Sequence, residues 1–270
     1  MDEQVEKDIS DTLSKVAGGL VEVTPSFAKP LVPSYSLDMI TMKKEGEYIR
    51  LKIKRNLELV KKLFENIIHD DGFICGGFVR VCVTEHVAPI PSGDIDIYCK
   101  GQEQFDAILG RLKENGYFEK RSSETATTMQ YAFEGALPVQ LIKSLNEGNV
   151  RLSSDKVEDI LNNFDFSIAR VAITKESLAS EEGIADSDFP EDDKAKRLNI
   201  KNIHCPVAQV YRISKYIEKG FWCNIMNLIK VFEDWKDRPD SYKQKILDVI
   251  MKEEPSKEEI QELESLLHID

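Results

Sequence analysis

Asp94 and Asp96 stand one residue apart in the run Gly93-Asp-Ile-Asp-Ile-Tyr98. Successive side chains of a strand point to opposite faces. The run therefore predicts both carboxylates on one face, with Ile95 and Ile97 turned into a core. Neighbouring carboxylates repel, and a cation that takes hard oxygen ligands is a common reason to keep them together. Gly77 lies 17 residues before Asp94; it closes the pair Gly76-Gly77, and Arg80 follows three residues later. A glycine pair lets backbone approach a phosphate closely. Tyr98 falls on the carboxylate face. Metal plus phosphate is the chemistry this stretch predicts.

The elements that must position these residues follow from the flanking pattern. Ile49, Ile53, Leu57, Val60, Phe64 and Ile67 recur at steps of three and four, which predicts a helix over 43–69. Phe73 to Cys75 predict a strand leading into the glycines. Phe78 to Thr84 are too β-branched to make a helix without tertiary support. A loop through Pro89, Pro91 and Ser92 then precedes the strand Asp94–Cys99. A helix is expected from Gln104 to Asn115, stopped by Gly116. Strands are expected at Met129–Phe133 and Val139–Ile142, a short helix at Ser154–Asn163, and an alternating run at Phe164–Ile173. From Glu176 to Asp193 there are eight acidic residues and no basic ones, which reads as a surface connection. Helical patterns follow from Pro206, from Phe221, from Ser241 and from Ser256. The last of them opens with the capping box Ser256-Lys-Glu-Glu259.

Bulk composition narrows the possible functions. The chain has 270 residues, 41% of them hydrophobic, enough for a substantial core. With 36 basic and 48 acidic residues its formal charge is −12, which excludes extensive binding of duplex DNA over its surface. A nucleotide or protein partner needs only a local positive site. The five cysteines, Cys75, Cys82, Cys99, Cys205 and Cys223, are odd in number and without paired spacing. They read as free thiols of a reducing cytoplasm. A charged start and the lack of any apolar run near ~20 residues predict neither a signal peptide nor a membrane span.

The order and spacing of Gly-Gly-Phe-Val-Arg and Asp-Ile-Asp-Ile resemble the signature of the polymerase-β-like nucleotidyltransferase superfamily. The similarity is greatest to the GGxVRD and DxD pattern of class II tRNA nucleotidyltransferases and bacterial poly(A) polymerases. Asn163-Phe-Asp-Phe-Ser-Ile-Ala-Arg170 resembles the RRDFTxNA motif of that group. Val207 to Phe221 is loosely similar to its ExxxR helix. The ensemble also resembles nucleotidyltransferase-like proteins carried by phages and large viruses. The resemblance spans about Phe73 to Phe221. It implies Asp94 and Asp96 as ligands of Mg2+ or Mn2+ and as the catalytic pair, with an NTP as substrate. It implies nucleotide contacts at Gly76, Gly77, Arg80, Asp165 and Arg212. Read as residues alone, Asp165 is equally a cap or an ion-pair partner, for Arg170 among others, and Arg212 equally a solvated helix face.

The chain departs from the pattern at named positions. Val81 stands where the family has an acid after GGxVR. Asn163 and Phe164 replace the double arginine, and Ala169 replaces the motif's Asn. Ala208 takes the place of the acid four residues before Arg212. The third acid expected on a later strand falls at Gln140, which leaves Glu134 or Asp165 as substitutes. The expected fold is α+β, a small mixed nucleotidyltransferase-type sheet flanked by helices with a C-terminal all-helical region. The expected divisions are a leader at 1–42, a nucleotidyltransferase-like domain at 43–175, an acidic linker at 176–200 and helices at 201–270. The expected activity is transfer of an NMP from an NTP to a hydroxyl of RNA, protein or a small molecule. The alternative is an NTP-binding regulatory or interaction module of the same fold.

Overall fold

Ile95, Ile97 and Cys99 are buried while Asp96 and Tyr98 between them are part-exposed, the alternation expected of a strand with one solvated face. The computed structural model describes residues 48–84, 93–122, 126–131, 137–143, 146–147, 150–151 and 153–250. The leader expected over 1–42, the loop through Pro89 and Pro91, Glu134 and the helix expected from Ser256 lie outside the described residues.

Eight strands form one sheet: β1 (Tyr48–Lys52), β2 (Gly72–Cys75), β3 (Ile95–Cys99), β4 (Tyr117–Ser122), β5 (Ala126–Tyr131), β6 (Val139–Ile142), β7 (Val171–Ile173) and β8 (Glu182–Asp186). Their order is β1-β8-β7-β2-β3-β6-β5-β4. Only β3 and β6 pair in parallel within it, with Asp96 opposite Gln140. The helices are α1 (Leu57–Leu63), α2 (Gly77–Val83), α3 (Gln102–Glu114), α4 (Val157–Leu161), α5 (Lys175–Ala179), α6 (Phe189–Ala195), α7 (Pro206–Glu218), α8 (Ile225–Asp237) and α9 (Asp240–Ile250). The protein is thus α+β, with a mixed sheet and helices gathered toward the C-terminal end.

The main core joins α1, α2 and α3 to the sheet through Val60, Phe64, Phe78, Ile97, Ile108 and Leu141. A second cluster packs Val157, Ile160 and Leu161 of α4 onto Phe73, Cys75 and Ala172. A third holds Phe166 and Ile168 against Ile213, Phe221 and Val231, so α7 and α8 share a core with the segment before β7. Helix α2 forms although its sequence disfavours it. Every residue from Phe78 to Val83 is buried. Burial contributes about 1.5–3 kcal/mol per large apolar side chain, against a propensity loss of roughly 0.7 kcal/mol or less per residue.

Three expectations are corrected. The helix expected over 43–69 begins later, and Tyr48–Lys52 is a strand, antiparallel to β8. Ile49, Leu51 and Ile53 alternate with Arg50, Lys52 and Lys54, and that period of two wins because β8 offers an edge to pair with. The run Phe164–Ile173 is a strand only at Val171–Ile173, because Ser167–Ala169 make a turn of 3-10 helix. The stretch 176–200, expected as an acidic linker, carries α5, β8 and α6, and β8 lies inside the sheet between β1 and β7. Its buried acids are neutralised by partners from elsewhere and from its own end: Arg170 and Lys201 meet Asp186, Arg80 meets Asp193, and Arg197 within the stretch meets Asp192. Among the described residues no helix is long and apolar enough to cross a membrane.

Candidate functional site

The parallel pairing of β3 with β6 places the two-aspartate face beside Gln140, and β5 adds Thr128 on Gln140's other side. Gln140 occupies the position where a third acid is expected. With its amide turned to satisfy its neighbours, the Gln140 nitrogen donates to Asp96 Oδ1 at 2.8 Å and to Asp94 Oδ2 at 3.1 Å. A neutral amide thus straps together two carboxylates that would otherwise repel. Among the described residues no group of three or more acidic, histidine or cysteine side chains is arranged to hold a metal. The donor set at Asp94 and Asp96 is nonetheless all hard oxygen on one strand face, which fits Mg2+ or Mn2+.

Gly76 closes the site from below β3. It ends β2 with φ 76° and ψ −141°, and a Cβ there would lie 3.3 Å from Asp96 Oδ2 and 3.4 Å from the Phe164 ring. The carboxylate therefore rests against bare backbone. Gly77 is different, since a Cβ on it would meet nothing within 4 Å. It faces open space at the first turn of α2. Cys75 pairs with Asp96 across β2 and β3 and is fully buried. Burial, with the Asp96 charge behind it, pushes its thiol far up, so it is a core group and not a nucleophile.

A cavity of about 440 Å³ opens in front of this face. Asp94, Asp96 and Gln140 line it together with Tyr98, Thr128, Arg121, Arg212 and Lys215. Two carboxylates thus share one pocket with three cations. Arg212 and Lys215 sit one turn apart on α7, and Arg121 comes from β4. Lys219, at the end of α7, is held below the usual lysine range by partial desolvation and then by the Arg80 and Lys215 charges. Tyr216, on the same helix, is pushed up to about 12 by burial, with the Asp165 charge adding to it. This phenol stays protonated at every physiological pH.

Of the residues singled out in the sequence, Asp94, Asp96 and Gly76 come together, and Arg212 joins them in the pocket wall. Asp165 is buried and accepts from Arg212 Nη1 at 3.1 Å, so it steadies that wall from behind. Its partner is not Arg170, whose Nε donates to the Phe164 carbonyl at 2.9 Å. Arg80 departs from the phosphate contact expected of it. Its side chain is 9% exposed, its Nε donates to Asp193 at 2.7 Å, and its guanidinium lies 4.7 Å from the Phe221 ring centre. Arg121, Thr128 and Lys215, all in the pocket wall, escaped the sequence reading. Lys215 alone carried a signal, three residues after Arg212 on a predicted helix and hence on the same face.

A family profile described as "Gabija anti-defense 2 family protein" matches residues 50–189. No curated protein matches the chain by sequence. Among solved structures, one titled as a CCA-adding enzyme in apo form I is 16% identical, covering 78% of this chain and 50% of that one, with a TM-score of 0.47. The Thermotoga maritima CCA-adding enzyme complexed with tRNA is 15% identical over 79% of this chain and 50% of that one, at 0.46. A structure titled as a tRNA-processing enzyme is 18% identical over 82% and 59%, at 0.47. The chain spans about half the length of the first of these structures.

Proposed function

The chain belongs to the Gabija anti-defense 2 family, and we propose that it is a metal-dependent nucleotidyltransferase whose activity serves the anti-defense role in the family's name. The reaction is transfer of an NMP from an NTP to a hydroxyl of RNA, a protein or a small molecule. One observation carries the reading: Asp94 and Asp96 share a strand face and line an open pocket with Arg121, Arg212 and Lys215. That combination suits a metal-bound triphosphate.

Asp94 and Asp96 would hold the divalent cation. When bound, it neutralises phosphate charge and draws off the electron density that develops on the leaving oxygens. Arg121, Arg212 and Lys215 take up the remaining charge of the triphosphate. Asp165 keeps Arg212 in place for this, through their ion pair. A bond forms from the acceptor oxygen to the α-phosphorus, and the bond to the bridging oxygen breaks, releasing pyrophosphate. The acceptor's proton passes to Asp94 or Asp96, the carboxylates that line the pocket among the described residues. Arg80 acts at a distance, holding α2 to α6. Tyr98, part-exposed on the carboxylate face, stands in the pocket wall against the Phe164 ring, their centroids 5.6 Å apart.

The test is incubation with each labelled NTP, Mg2+ or Mn2+, and RNA, protein or small-molecule acceptors, reading both label transfer and pyrophosphate. Replacing Asp94 and Asp96 together by Asn is expected to lower transfer by about a thousandfold, the several kcal/mol a catalytic metal supplies. Transfer that survives the double replacement defeats the proposal.

The Gln140 contact favours a second reading, an NTP-binding regulatory module of the same fold without turnover. Calorimetry that detects nucleotide binding while every transfer assay stays silent selects it over the first.

A further inference from the structure

Gln140 does more than fill the place of a missing acid. Its amide has two unlike ends on one carbon, and the terminal torsion of glutamine is broad and roughly two-fold. With the amide oriented to satisfy its neighbours, the nitrogen faces the two carboxylates at 2.8 and 3.1 Å. Half a turn exchanges nitrogen for oxygen without moving the chain. The amide oxygen then faces Asp94 and Asp96, an arrangement of three acceptors that repel unless a cation lies among them. Parallel pairing places Gln140 directly opposite Asp96, so the backbone register keeps the amide beside the carboxylates.

We propose that Gln140 is a reversible third ligand: its nitrogen straps the carboxylates when no cation is bound, and its oxygen joins Asp94 and Asp96 when one is. The inference rests on the reading of Asp94 and Asp96 as cation ligands. It adds a consequence for stoichiometry. The donor set carries two negative charges instead of three, and Arg121, Arg212 and Lys215 line the same cavity. Without a nucleotide to bring phosphate charge, the pocket holds one divalent cation and not two. Loading that cation costs the two hydrogen bonds of the strap. Affinity for the bare ion is therefore lower than a third carboxylate would give.

Mn2+ titration of the full chain without nucleotide, followed by electron paramagnetic resonance, tests this directly, with Asp94→Asn as the baseline. The wild type is expected to bind one Mn2+. Gln140→Leu, which keeps the bulk but neither end of the amide, is expected to bind about tenfold more weakly. Gln140→Glu is expected to bind at least about tenfold more tightly. Circular dichroism checks that each variant is folded, and if the leucine variant is not, the glutamate variant decides alone. Leucine binding as tightly as wild type makes the amide a strap only and overturns the proposal. Two Mn2+ per wild-type chain, or an unchanged affinity in Gln140→Glu, also overturns it. A wild type that binds no better than Asp94→Asn defeats the reading of the aspartates themselves, and that failure is distinguishable from the others.

Discussion

A methyl group on Gly76 would meet the Asp96 carboxylate at 3.3 Å and a ring that packs under it at 3.4 Å, at a backbone angle that side chains rarely adopt. Its φ of 76° and ψ of −141° fall close to a region used almost only by glycine, where other residues cost about 1–3 kcal/mol. Gly76→Ala is therefore expected to lower stability by about that amount in urea denaturation and to displace Asp96. Gly77→Ala is expected to change stability by no more than about 0.5 kcal/mol, because its Cβ would enter empty space. Equal unfolding midpoints for the two variants would refute this division of labour. The Gly-Gly pair was legible in the sequence as a place where backbone comes close to something. Which glycine is constrained by conformation and which by openness was not, because that depends on the turn between β2 and α2. The same holds across the sheet. The alternation of Asp94, Asp96 and Tyr98 is local and could be read directly. The hydrogen bonds from Gln140 depend on the register of two strands more than forty residues apart, and only pairing reveals them.

Helices α2 and α6 are joined by the Arg80–Asp193 pair, 9% and 6% exposed, with Phe221 covering the guanidinium. Removing one partner of such a pair strands a buried charge, which costs about 3–5 kcal/mol, whereas replacing both by apolar groups is often close to neutral. Asp193→Ala is accordingly expected to lose about 3 kcal/mol or more in chemical denaturation. Adding Arg80→Met to Asp193→Leu is expected to recover most of the loss. A single replacement within 0.5 kcal/mol of wild type, a value typical of a surface pair, would show that the pair is not buried in solution. The sequence marked Arg80 by its distance from the glycines, and that spacing suggested a phosphate contact. Its real partner lies in the acidic stretch, which in one dimension shows eight acids and no base. Three of those acids, Asp186, Asp192 and Asp193, are buried. Asp186 and Asp193 are met by Arg170 and Arg80 from other parts of the chain, and Asp192 by Arg197 just beyond the run. Charge runs show their composition in the sequence but not their partners, and this one is an interior seam of the fold.

At the scale of the whole molecule, a formal charge of −12 would repel a triphosphate if it were spread evenly. The fold instead concentrates Arg121, Arg212 and Lys215 in the wall of one cavity. Arg121 comes from the outermost strand β4, whereas the other two come from a helix built far along the chain. Net charge was legible before the structure; this local inversion was not, since it needs β4 and α7 to meet around β3. Lys215 isolates the effect best. It is exposed, lies 4.5 Å from the Tyr211 ring centre, and takes no part in the core. Lys215→Ala is expected to leave the unfolding midpoint within about 0.5 kcal/mol of wild type. It is expected to weaken ATP binding about tenfold in calorimetry, the loss of one charge-assisted contact worth about 1.4 kcal/mol. Because that contact is partly solvated, the difference between variant and wild type should shrink as salt is raised from about 0.05 to about 0.5 M. ATP affinity unchanged by Lys215→Ala at low salt would mean that the triphosphate does not lie along α7, and the charge inversion would then have no part in binding it.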